Sequence, residues 1–329
     1  MKKSKSVVVI GAGIGGLTAA IRLAARGHAV TLLEQLDRPG GKMGEWQCEG
    51  FRFDTGPSVV TMRPVIERLF HEVGRRLEDY LDLIPLNPIT RYHWRDGLTL
   101  DATADEEAMC RQIAQFSPRD VEGYRKFMRY VAELHRIVGQ PFLYSRQPTW
   151  RDLLRLPVMD VFKIDALRTM HQAICAYFRD PHLIQLFSRF ATYNGSSPYR
   201  APATLNVIAH VEMAQGAWYP RGGVFQIARA LERLAGELGV DIRYGARVEG
   251  IVVQNRRVVG VNVAQGEQLR AEAVVANSDV SDVYRRLVRD VAAARTGIQR
   301  IQRLEPSCSG FIVLIGVRGH RPQLAHHNI

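Results

Sequence analysis

An α/β fold, with a parallel sheet split by a more helical insertion, is predicted by three features of the sequence. A β-branched run at residues 7–10 ends in closely spaced glycines, a second strand pattern at residues 29–33 ends in an acid, and helix–strand alternation returns after residue 217. Between them lies a stretch whose apolar residues recur at helical spacing, so the α/β pattern is interrupted and then resumed.

The first strand, VVVI, has the profile of a strand buried on both faces. GAGIGG follows and supplies Gly11, Gly13 and Gly16 in a GxGxxG pattern, with Gly15 inside it. In that pattern the first glycine permits a tight turn, the second lets the backbone approach a pyrophosphate, and the third lets the next helix lie close to the strand. The helix then presents its unpaired N-terminal amides to the phosphates. Leu17, Ala20, Ile21 and Ala24 form its buried stripe, and Gly27 is a C-terminal cap. The second strand delivers Glu34 eighteen positions after Gly16. Its carboxylate is placed to accept from a ribose 2′-hydroxyl and to repel a 2′-phosphate.

A further helix would follow in a simple dinucleotide fold. Instead Arg38, Gly40, Gly41 and Lys42 make a second glycine turn with cationic neighbours, and GFRFDTGPSVV then alternates into a turn at Gly56 and Pro57. By spacing alone, loop punctuation is the lesser alternative for these glycines.

From Arg91 the pattern changes. RYHWRDGLTLDAT reads as a hairpin turning at Asp96 and Gly97. A helix is expected from Ser117 as N-cap, with Pro118 in its first turn and Tyr124, Phe127, Met128, Val131, Leu134 and Val138 on one face. Residues 148–164 are denser in apolar residues yet carry Arg151, Arg155 and Lys163, which suits either a core helix or one lying among lipid headgroups. Asp152 and Arg155 are neighbours on one helical face, as a surface ion pair or as chemistry. Helices interrupted by YNGSSPYRAP follow. The α/β rhythm then returns with a helix after Arg221, Gly222 and Gly223, a strand through Ile242, a hairpin from Val248 to Val263, and a buried strand in AEAVVANSD. SCSGFIVLIGV, near the end, reads as one more apolar strand.

Composition narrows the function. The 329 residues are 46% apolar, enough for a large core and two domains. The net charge of +11 comes from Arg far more than Lys and is scattered, without the aromatic platforms or basic repeats of a nucleic-acid binder. Cys48, Cys110, Cys175 and Cys308 form no CxxC pair, which suits free thiols in a reducing cytosol and speaks against a disulfide framework or zinc. His326 and His327 lack a metal-ligand frame. The basic, apolar N-terminus imitates a signal peptide, but its glycines fit a strand and turn, and no transmembrane helix is expected.

The motifs GAGIGGL, LLEQLDRPGGKMG, GFRFDTGPSVV, FSPRDVEGYRKFM, WYPRGG, VVANSD and QLAHHNI, in this order along the whole chain, resemble the bacterial phytoene desaturase family and its carotenoid desaturase and isomerase relatives. These belong to the FAD-dependent, amine-oxidase-like superfamily. The resemblance implies an FAD-type Rossmann domain with a β-meander insertion, into which an α+β substrate domain is inserted. Residues 1–88 and 217–290 would form the FAD-binding domain, residues 89–216 the membrane-associated substrate domain, and residues 291–329 the start of its second segment. It also implies that Gly41, Lys42, Gly56 and Pro57 lie along the cofactor and that the main chain of Val248 meets the adenine. The implied substrate is a long-chain polyene hydrocarbon such as phytoene, and the implied location is cytoplasmic, at the inner membrane surface. Asp152 and Arg155 are the candidates for acid–base or cation-stabilising work. Isomerisation, another oxidation on the same scaffold, and an inactive FAD-binding fragment are the alternatives, since family members continue beyond the position of Ile329.

Overall fold

The computed structural model describes residues 4–139, 143–144, 157, 160, 163–288, 291, 294–305, 309–319 and 321–329. In chain order its main elements are β1 (Ser6–Ile10), α1 (Ile14–Ala24), β2 (Ala29–Leu33), β3 (Glu45–Cys48), β4 (Phe51–Asp54) and α2 (Arg63–Glu72). Next come β5 (Thr90–His93), β6 (Thr99–Ala102), α3 (Glu106–Phe116), α4 (Val121–Val138), α5 (Met170–Cys175), α6 (Pro181–Ser188) and α7 (Val207–Met213). The series closes with α8 (Phe225–Glu237), β7 (Asp241–Arg243), β8 (Val248–Gln254), β9 (Arg257–Val263), β10 (Gln268–Arg270) and β11 (Ala273–Ala276). The chain divides into two compact units, one of Met1–Ser58, Ile66–Leu83 and Pro220–Pro306, the other of Val59–Val65, Ile84–Tyr219 and Ser307–Ile329.

The first unit is built on a parallel sheet of order β11-β1-β2-β7. Val7, Val8, Val9 and Ile10 are buried, as expected for a strand covered on both faces. Leu17, Ala20 and Ile21 of α1 are fully enclosed. Leu17 and Ile21 each contribute roughly 1.5–3 kcal/mol of transfer free energy. The meander β8-β9-β10 is antiparallel, and its Val248, Val261 and Val263 share a cluster with Val8, Ile10 and Leu33. The chain leaves the parallel sheet after β7, makes the meander and returns as β11 beside β1.

The second unit gathers an aromatic core. Tyr124, Phe127, Met128 and Val131 of α4 pack with Phe178, Phe187 and Phe190, and the Phe178 and Phe187 rings are stacked 4.8 Å apart. The hairpin β5–β6 turns at Gly97, with Asp96 accepting from the Leu98 amide. The helix expected from Ser117 is modified. Residues Pro118–Asp120 form a 3-10 turn and the α-helix starts at Val121. Asp120 turns its buried carboxylate away from its own helix, accepting from the backbone amides of Arg179 and Asp180 and from the Ser117 hydroxyl. A tertiary demand overrides the local capping pattern there.

The described part of SCSGFIVLIGV does not form the expected strand. Residues 309–317 carry no strand assignment, and Phe311, Ile312, Val313 and Ile315 are exposed. A β-strand exists only by pairing, and apolar alternation cannot supply the missing partner. The pairing that the C-terminal end does make among the described residues is a short backbone contact of residues 327–329 with Arg91 and His93.

Candidate functional site

The carboxyl ends of β1, β2 and β11 open on one cavity of about 710 Å³, all of it within the first unit. This is where an open parallel sheet places its ligand, beside the strand at which connections leave in both directions. The size is that of a small-molecule or cofactor pocket, for which roughly 300–1,000 Å³ is usual.

At its floor the chain leaves β1 through Gly11, whose φ of +95° is a left-handed conformation that a side chain would strain. Gly16 lets α1 lie against that turn. A Cβ there would come within 1.9 Å of the Gly11 carbonyl oxygen. The second glycine turn docks on the first. Gly40 donates its amide to Ala12, Gly13 and Gly40 form a parallel bridge, and a Cβ on Gly41 would stand 3.3 Å from Gly13 Cα. Bare backbone from both turns therefore faces one space, as an extended diphosphate requires.

Glu34 lies at the end of β2 and is buried. Its Oε2 accepts from the Ala12 amide at 2.7 Å and its Oε1 from the Leu36 amide at 2.9 Å. A carboxylate has about four acceptor positions, so a ribose hydroxyl can still donate to it. The two amides hold the group facing the cavity, and the Ala246 amide donates to the Glu34 carbonyl, which brings the start of the meander to the same place.

Seven of the nominated residues line the cavity: Gly11, Gly13, Glu34, Gly41, Lys42, Pro57 and Val248. Gly15, Gly16 and Gly56 stand behind the wall. A side chain on Gly15 would collide with the Asn277 carboxamide, and one on Gly56 with the Lys42 carbonyl. Asp152 and Arg155 lie outside the described residues.

Among the lining residues that the sequence motifs do not single out are Asn277, Asp279 and Arg286. Asn277 donates its amide to Ile10, and its side chain covers Gly15. The Ser281 backbone amide holds the Asp279 carboxyl below the usual carboxylate value, and the Lys42 charge adds to that effect. The signal was present in VVANSD, because the polar residue after a returning parallel strand stands at the sheet's ligand edge.

The fold and this site define a dinucleotide-binding flavoprotein. The family described as flavin containing amine oxidoreductase matches residues 14–315, and the chain belongs to it. The residues present fit FAD: two glycine turns, a ribose acid and cationic neighbours border one cavity of sufficient size, and FAD is the cofactor. Among relatives, the chain is 38% identical over 330 residues to a lycopene-forming phytoene desaturase of Pseudescherichia vulneris, covering 99% of this chain and 66% of the relative. It is 37% identical to a 4,4'-diapolycopene oxygenase of Methylomonas sp, covering 99% and 65%. It is 36% identical to a 4,4'-diaponeurosporene oxygenase of Staphylococcus aureus, again covering 99% and 65%. The chain thus spans about 65% of the length of these curated relatives. Among solved structures, an oxidoreductase from Methanosarcina mazei superposes with a TM-score of 0.61 at 18% identity, covering 92% of this chain and 66% of that one. A fatty acid isomerase from P. acnes gives 0.57 at 15%, covering 86% and 60%. At such identities the likeness is one of fold.

Proposed function

We propose that this chain acts in the FAD-dependent desaturation of an acyclic carotenoid precursor such as phytoene. The observation that carries the reading is the convergence of both glycine turns, Glu34 and Val248 on one cavity, in a chain more than a third identical to carotenoid-modifying relatives. When bound, the flavin supplies a two-electron acceptor for a hydride taken from a saturated carbon. The chain's own residues bind and orient. Gly11, Gly13 and Gly41 give backbone access to the diphosphate, Lys42 and Arg286 offset its charge, Glu34 accepts from the ribose, and the Val248 main chain meets the adenine.

A hydrocarbon offers no polar handle, so its recognition rests on apolar walls. Asp152 and Arg155 are proposed to take up the departing proton or to stabilise positive charge on the polyene. Double replacement in a full-length homologue should lower turnover while FAD stays bound. Unchanged turnover removes both residues from the mechanism. The same substrate logic places the protein on the cytoplasmic face of a membrane. Basic side chains near an anionic surface contribute about 1 kcal/mol each, an attraction that salt screens. No described helix is long and apolar enough to cross a membrane. Flotation with vesicles containing anionic lipid at low salt checks this association, and protein left at the bottom of the gradient contradicts it.

The direct test is anaerobic incubation of the FAD-loaded protein with phytoene. Products with longer conjugation, formed together with bleaching of the flavin's visible absorption, are expected. Conversion without bleaching or any oxidant would instead indicate isomerisation.

A further inference from the structure

The second unit contains its own cavity, of about 210 Å³, bordered by Thr61, Met62, Val207, Ile208, Val211 and Glu212. We infer that this cavity seats the uncharged, methyl-branched end of an isoprenoid chain and rejects a chain of the same skeleton that ends in a carboxylate. The inference rests on the proposed function and specifies which part of such a substrate meets which residues.

The volume decides that only an end is held, since it falls below the roughly 300 Å³ at which pockets for whole ligands begin. The walls decide the chemistry. Val207, Ile208 and Val211 offer branched, stiff surfaces on one helix, complementary to methyl branches. Met62 adds an adaptable side chain. Its backbone has a φ of +57°, an uncommon conformation for a residue with a side chain, and its carbonyl is tied to the Val65 amide at 2.8 Å. Strain held in place at a cavity wall is a recurrent mark of a working surface.

Charge supplies the selectivity. Glu212 is the one carboxylate among the described lining residues and is itself only 2% exposed. Arg189 donates to its Oε1 at 2.6 Å, and the Tyr193 hydroxyl donates to its Oε2. Arg189 is in turn fixed by donating to the Tyr92 hydroxyl at 2.7 Å and by lying over the Phe190 ring, 4.7 Å from its centroid. Arg189 is not among the lining residues, whereas Glu212 is. Arg189 and Tyr193 are thus already engaged by Glu212, and the described lining residues supply no cation, so an incoming carboxylate would shed its hydration without a counter-ion. A hydrocarbon or alcohol end gives up far less.

The test compares farnesol with farnesoic acid, which share a skeleton, on the full 329-residue chain saturated with FAD. Titration calorimetry at pH 7.5 should give at least ten-fold tighter binding of the alcohol. Ile208→Trp, which fills the cavity, should weaken farnesol at least ten-fold while FAD affinity and the circular dichroism spectrum stay as in the parent. If that variant does not fold, Ile208→Phe serves, with a smaller loss in the same direction. Glu212→Gln leaves Arg189 without its anion and should narrow the alcohol-to-acid ratio about ten-fold. Equal binding of acid and alcohol overturns the inference, as does unchanged farnesol binding by folded cavity-filled variants. In either case FAD binding and phytoene conversion are measured separately, so the proposed function can survive the loss of the cavity assignment. A parent chain that binds neither probe overturns the assignment whatever the flavin result.

Discussion

Glu34 shows how one side chain serves packing and ligand together. Its carboxylate accepts from the fully buried Ala12 and from Leu36, so Glu34→Ala leaves a buried donor unsatisfied, at a cost of about 1–3 kcal/mol. The expected outcome is a lower melting temperature together with weaker FAD binding, read by thermal denaturation and by quenching of flavin fluorescence. Glu34→Gln keeps one acceptor and should fall between. Gly16→Ala is more severe. The new Cβ would sit 1.9 Å from a backbone oxygen, so α1 must move off the turn, at about 3 kcal/mol or more by comparison with overpacked cores. Flavin titration should then show at least a ten-fold loss of affinity, and normal affinity would mean that the turn is more compliant than its geometry implies.

Among the elements, the entry to α4 is governed by a contact far away in sequence. Asp120 is buried and accepts from the amides of Arg179 and Asp180, just ahead of α6, and Asp180 then caps α6 by accepting from the His182 amide. One carboxylate thus ties the start of α4 to the residues just ahead of α6. Asp120→Ala is expected to cost about 2–4 kcal/mol, since two amides lose a charged acceptor in a buried setting. Asp120→Asn should cost less. Urea denaturation checks the size and order of both losses. The periodicity of α4 was legible, because apolar residues three and four apart must share a face. Its start was not, because Ser117 and Pro118 make a valid cap pattern whichever partner Asp120 chooses.

At the scale of the whole molecule, acid should destabilise the second unit before carboxylates are titrated. Burial lowers the proton affinity of His135, His210 and His327 below that of a free imidazole, and in His210 the neighbouring His135 lowers it further. The His135 and His210 rings lie 4.6 Å apart. The folded state keeps these rings neutral while the unfolded chain takes up protons below about pH 6.5, so stability is full above that value and falls as pH drops towards the lowered folded values. Melting temperatures measured from pH 7.5 to 5.0 should decline, and His210→Gln should flatten the decline. A flat profile in the parent chain would show that these rings are no less basic when folded.

Local rules were enough to read the nucleotide end. A strand, a glycine turn, a helix and a second strand ending in Glu34 are consecutive, and consecutive elements obey short-range sterics that spacing reports directly. The second glycine turn was ambiguous in the sequence because a turn and a cofactor cradle demand the same residue. The docking of Gly40 on Ala12 and Gly13 is what distinguishes them. Glu212 at the second cavity owes its place to Arg189 and Tyr193, which lie on other elements, and no window of neighbouring residues contains that information. The apolar segment at residues 309–317 makes the same point from the other side. Its sequence specifies alternation and hydrophobicity, but whether such a segment becomes a strand depends on a hydrogen-bonding partner that only tertiary structure provides.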